Sequence, residues 1–136
     1  MSTARRLGNE RGSVAVTGIL LTLALVILIG TGVDFAHAFI VRRDLTAIAD
    51  GAALAGSQQL DLHAWREGSL ALDPQHAQQA AEAELAANPE ISGSATAEPT
   101  SITVEARQRF PTMILRLVGI PRLTVTATAT ATPKKP

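Results

Sequence analysis

The stretch VAVTGILLTLALVILIGTGV, Val14 to Val33, decides how this chain is organised. It holds no charged residue and no proline, and its apolar side chains point in every helical direction instead of lining one stripe. A helix of that length spans about 30 Å, the thickness of a bilayer's hydrocarbon core. The competing reading is a core helix of a soluble protein. The rest of the chain, about 100 residues, is too small to enclose a helix that is apolar all round. The stretch therefore predicts a transmembrane helix over 14–33.

The flanking charges give its direction. Arg5, Arg6 and Arg11 precede the span, whereas the first charge after it is Asp34. Cationic residues stay on the cytoplasmic side. Arg42 and Arg43 weaken the asymmetry, with Asp44 beside them. The N-terminus is expected inside and residues 34–136 outside. Ala36-His37-Ala38 has the small-x-small form of a signal-peptidase site. The apolar core before it is longer than a signal peptide's, and the helical pattern runs through the cut, so a cleaved, secreted product is the weaker reading.

Composition narrows the function. Of 136 residues, 12 are basic and 12 acidic, so no net field draws nucleic acid. There is no cysteine, which excludes disulfides, thiolate metal sites and a thiol nucleophile. Aromatic residues make up 3 %, and alanine and threonine dominate. A core of alanine buries little surface, so the outer part needs support from the membrane or a neighbour.

Helical spacing continues past the span through Phe35, Ala36, Phe39, Ile40, Ala47, Ile48, Ala52, Leu54 and Ala55, with no proline before Pro74. One helix from Val14 to about Leu60 would be ~70 Å long. Within it Ala49, Ala52, Ala53 and Gly56 stand three to four apart. They predict a helix-packing face, because small side chains admit a close backbone. His63 to Gly68 reads as a turn. Asp73 as N-cap and Pro74 as first helical residue open a second helix to about Ala87, which Asn88-Pro89 stops.

Residues 90–100 read as a linker. Ser101 to Arg107 and Leu123 to Ala131 alternate with period two and read as strands. Between them Phe110, Met113, Ile114, Leu117 and Val118 form an apolar stripe at helical spacing, closed by Gly119. Two strands cannot stand alone, so the second helix and this apolar helix are the expected covers. The expected fold is α+β: a long transmembrane helix extended outside the membrane, a second helix, then a small two-to-three-stranded sheet with a short helix between strands. The expected divisions are a basic cytoplasmic leader at 1–13, the span at 14–33, a helix extension at 34–62 and an outer α+β domain at 63–136.

No catalytic constellation emerges. A glycine-rich phosphate loop and a Gly-x-Ser-x-Gly elbow are both missing from the sequence. His37 lies three residues after Asp34, where the two would form an ion pair at the membrane surface. His63 with Asp61 and Glu67 could be drawn as a metal site, but nothing fixes their geometry. Trp65 reads as a membrane-surface or packing anchor. The expectation is a protein that is no enzyme and has no cofactor, no metal, no nucleic acid and no small-molecule substrate.

Several segments together resemble a known family. Glu10-Arg11-Gly12-Ser13-Val14-Ala15-Val16 leads into the span. Arg42-Arg43-Asp44-Leu45 runs through Ala49-Asp50-Gly51-Ala52-Ala53-Leu54-Ala55-Gly56. Ile102-Thr103-Val104, Phe110-Pro111, Leu117-Val118-Gly119-Ile120 and Leu123 to Ala129 follow in order. This arrangement is similar to the Tad (Flp) pilus-assembly proteins of the TadE/TadG type. The resemblance implies a pilin-like or minor assembly protein in a bacterial cytoplasmic membrane. Its partners would be lipid and other pilus proteins met through the N-terminal helix. The alternative is a secreted or membrane-tethered binding module unrelated to pili. The resemblance also marks Gly12-Ser13 as the candidate processing junction of a prepilin. Such prepilins carry Glu at the fifth mature residue, where this chain has Thr17. A hydroxyl cannot neutralise an ammonium in the bilayer, so the chain is expected to keep its N-terminus.

Overall fold

The computed structural model describes the backbone of residues 6–134 and the side chains of residues 12–134. The first helix, α1, runs from Arg6 to Ser57 without a break. It ends a few residues before the expected Leu60 boundary. At 52 residues it is about 78 Å long. Its two halves differ in what surrounds them. From Val14 to Ile29 every large apolar side chain is exposed, and none of the most apolar window is buried inside the protein. This is one helix long and apolar enough to cross a membrane. Thr17, Thr22 and Thr31 donate their hydroxyls to the carbonyls of Ser13, Gly18 and Ile27, at 2.9, 2.9 and 2.7 Å. Their polar groups are thus satisfied within the helix, as lipid requires.

The outer half of α1 buries one face. Gly30, Asp34, Val41, Leu45, Ala49, Ala52, Ala53, Gly56 and Ser57 are buried, at spacings of one helix side. A short helix α2, Leu62–Arg66, follows with Asp61 as its N-cap. Gly68 closes the turn at φ 80°, a conformation glycine adopts without Cβ strain. Helix α3, Pro74–Ala86, starts as its sequence requires. The Asp73 carboxylate accepts from the amides of Gln75 and His76, and Pro74 needs no partner for its absent N–H.

Three antiparallel strands follow in a meander: β1 Ile91–Glu98, β2 Ser101–Pro111 and β3 Arg122–Ala131. Their register pairs Ala95 with Val104 and Val104 with Ala129. Ala95, Ile102, Val104, Ala106, Ala127 and Ala129 face inward, while threonine, serine and charged residues face water. α1 lies over β2 and β3, and α3 lies over β1 and against α1. The single core joins Leu45, Ala49, Ala52 and Ala53 of α1 to Leu72, to Ala77, Ala81 and Leu85 of α3, and to the sheet.

Two expectations are corrected here. Residues 90–100 are no linker, because Ile91–Glu98 forms a full edge strand. Its small side chains are what let α3 close down on it. A Cβ at Gly93 would meet Leu85 Cδ1 at 2.9 Å. The apolar stripe from Phe110 is not a helix covering the sheet. Phe110 belongs to β2, and only one 3₁₀ turn, Leu115–Val118, stands between the strands. The sheet is covered by α3, as expected, and by the extension of the apolar helix in place of the stripe.

Candidate functional site

The place where the two halves of α1 meet is bound by the far end of the chain. Asp34 is the first residue after the apolar stretch and is only 3 % exposed. Its Oδ1 accepts the amide of Met113 at 2.8 Å, and its Oδ2 accepts those of Ile114 and Leu115 at 2.9 and 2.8 Å. These N–H groups lead into the 3₁₀ turn and have no partner of their own in it. The turn's own N-cap residue, Ile114, supplies no side-chain bond. A carboxylate from another helix fills that role, where a negative charge also meets the positive end of the turn.

The three amides hold the carboxyl in its charged form. The Asp34 pKa is lowered from its ordinary 3.8, first by the amide of Leu115, then by that of Met113; burial opposes them, and Ile114 and the charge of His37 add to the lowering. The expected ion pair between Asp34 and His37 is not the bond that forms. The His37 ring stacks on Phe110, with centroids 5.2 Å apart and planes 8° from parallel. One helical turn before Asp34, Gly30 leaves the room that Ile114 fills, since a Cβ there would overlap the Ile114 side chain.

This contact follows from the run of β2 along α1. Ile102 at its start touches Gly56, and Phe110 near its end stacks on His37. Eight strand steps cover roughly 27 Å, and the nineteen helix steps from His37 to Gly56 cover roughly 28 Å. The strand runs antiparallel to the helix, so its far end returns to the level where the apolar stretch begins. The β2–β3 loop is closed there by the Thr112 amide, which donates to Pro121 O at 3.1 Å, and by Gly119 at φ 93°.

The residues singled out in the sequence fall as follows. Ala49, Ala52, Ala53 and Gly56 lie in the chain's own core. Gly56 is pressed against Ile102 and Ala77 O, with the Cβ of Ala81 beyond. That face is occupied by α3 and β2. The other side of the outer half of α1 is open, with Phe35, Phe39, Ile40 and Leu54 exposed. Phe39, Arg42, Arg43, Thr46, Ala47 and Asp50 line a shallow depression on it. Gly12, Ser13 and Thr17 lie inside unbroken helix. Asp61 caps α2 by accepting from the amides of His63 and Ala64. Among the described residues no group of three acidic or histidine side chains is arranged to hold a metal. Trp65 stands beyond the far end of α1, and Val33 to Ser57 alone is about 36 Å of helix. It is remote from the apolar stretch.

Residues 12–64 match a family model described as "Putative Flp pilus-assembly TadE/G-like". The match takes in the Gly12–Val16 and Arg42–Gly56 segments of the resemblance, the apolar stretch and Asp34. The strands and the loop that Asp34 binds lie beyond it. No curated protein and no solved structure matches the chain significantly.

Proposed function

We propose that this chain is a non-catalytic, pilin-like or minor component of a bacterial Flp pilus-assembly apparatus, held in the cytoplasmic membrane by residues 14–33. The supporting observation is the pilus-assembly family match on residues 12–64, which centres on a helix whose inner half has no protein partner. An apolar helix exposed on every side is stable only in lipid or against other apolar helices. The arginines before the span put the N-terminus inside and the α+β domain, residues 63–136, outside. Residues 34–62 then carry that domain as a stalk fused to it.

Other pilus proteins would be met through the faces of α1 that the chain leaves open. From Val14 to Ile29 this is the whole circumference, whereas Gly30 is covered by Ile114. Outside the span, Phe35, Phe39 and Ile40 are the exposed apolar groups. The chain works by assembling, full length, with Thr17 in place of the acidic residue that prepilin processing employs. Membrane fractionation of the native host, followed by affinity purification of the tagged chain in mild detergent, tests this reading. The chain should sediment with membranes and bring down other proteins of the pilus apparatus. Recovery from the soluble cytoplasmic fraction would end it.

A further inference from the structure

We propose that the β2–β3 loop, residues 112–121, is a second membrane contact: its apolar side chains enter the outer leaflet beside the span. The proposal rests on residues 14–33 crossing the bilayer, and the experiment below separates the two.

Position carries the argument. Ile114 fills the space beside Gly30, which lies within the apolar stretch, about 6 Å before Asp34 along the axis. Three amide bonds to Asp34 pin the loop at that level. A loop packed against residue 30 of a span that ends at 33 cannot stand clear of the lipid.

The loop's chemistry fits that place. Met113, Leu117, Val118 and Ile120 are 72, 75, 58 and 44 % exposed. They leave much apolar surface open on this loop, unlike the polar outer face of the sheet. Its backbone is prepared for a dry environment. The amides of Thr112, Leu117, Gly119 and Ile120 donate to Pro121, Ile114, Arg116 and Leu115 carbonyls, and those of residues 113–115 donate to Asp34. Seven of the loop's amides are thus already bonded within the chain, which lowers the cost of lying at the edge of a bilayer, where unsatisfied donors are expensive. Arg109, Arg116 and Arg122 flank or interrupt that open surface and pair with no carboxylate of the described residues. Their stems can lie along the apolar surface while the guanidinium groups reach lipid phosphates. Apolar side chains with basic ones at their border are the pattern of an interfacial segment.

The chain has no cysteine, so single cysteines give unambiguous labels. Full-length Leu117→Cys and Val118→Cys are spin-labelled and reconstituted, one chain per disc, into nanodiscs of phosphatidylethanolamine and phosphatidylglycerol. Leu23→Cys in the span and Thr128→Cys on the outer face of β3 are the references. Collision with oxygen and with a water-soluble nickel chelate is measured by power saturation. The labels at 117 and 118 should resemble that at 23, with nickel collision several-fold below that at 128. Nickel access equal to that at 128, with 23 still protected, overturns the loop contact alone. Access at 23 overturns the span and the loop together. Protection that appears only with two chains per disc overturns the lipid contact in favour of a second copy.

Discussion

Asp34 and Ile114 are 80 residues apart in the chain, and the Asp34 carboxylate accepts the Ile114 amide at 2.9 Å. With Met113 and Leu115 it ties the sheet's far end to the top of the apolar helix. Asp34→Asn keeps the shape but leaves one acceptor oxygen and no charge. Hydrogen exchange at the amides of residues 113–115 should accelerate several-fold, and trypsin should cut sooner after Arg116. Unchanged exchange would mean that other contacts hold the loop.

Acid should loosen the same clasp. Asp34 and Asp73 both have pKa values lowered from 3.8, Asp34 chiefly by the Leu115 amide and Asp73 chiefly by its hydrogen bond with His76. A carboxylate lowered in the native state contributes its full stability above the unfolded value. That contribution is lost as pH falls below about 3.8 and through the native values. Urea midpoints in nanodiscs should be level in these two contributions from neutral pH down to pH 5 and fall below pH 4. Asp34→Asn should flatten part of that fall. A midpoint that rises on acidification would contradict the assignment.

The contact between Gly30 and Ile114 is a test of shape. Gly30→Ala places a methyl on the Ile114 side chain and should cost about 1–3 kcal/mol or detach the loop. Ile114→Ala removes the obstacle. In the double variant the two changes should compensate, with a coupling of about 0.5–3 kcal/mol. Simple additivity would show that the two positions are not in contact.

Two glycines five residues apart should respond with opposite sign. A Cβ at Gly56 would meet Ile102 and, at 2.9 Å, Ala77 O, so Gly56→Ala should destabilise by about 1–3 kcal/mol. Gly51 is exposed in the same helix with nothing within 4 Å. Gly51→Ala should stabilise by about 0.5–1 kcal/mol through helix propensity. Leu45→Ala should cost about 2–5 kcal/mol, since Leu45 is among the few large side chains in an alanine core. Urea denaturation followed by Trp65 fluorescence reads all three.

Much of the architecture was legible in the sequence because it is locally encoded. The charge-free run announced α1, Asp73-Pro74 announced α3, and the alternation of Leu123 to Ala131 announced β3. The strand β1 was not legible. Ser92, Gly93, Ser94 and Ala95 alternate inward and outward, but their side chains are too small to mark the two faces and have turn-forming chemistry. The stripe from Phe110 to Val118 has helical spacing, but its residues serve different contacts: Phe110 ends β2 and stacks on His37, and Ile114 fills the space beside Gly30. The clasp was hidden for a different cause. Asp34 stood out as the first charge after the span, and its nearest basic neighbour, His37, was the natural partner. Its real partners are backbone amides, which no side-chain pattern reveals, brought close by a strand that runs back along the helix.

The most direct test of the account is deletion of this chain in its native host, followed by counting surface pili by electron microscopy. The account predicts that pili are lost or greatly reduced and that the full-length chain, expressed in trans, restores them. A chain without residues 14–33 should not restore them, even when its outer domain is exported by another signal. Normal piliation in the deletion strain, under conditions where loss of the pilus motor abolishes it, would contradict the account.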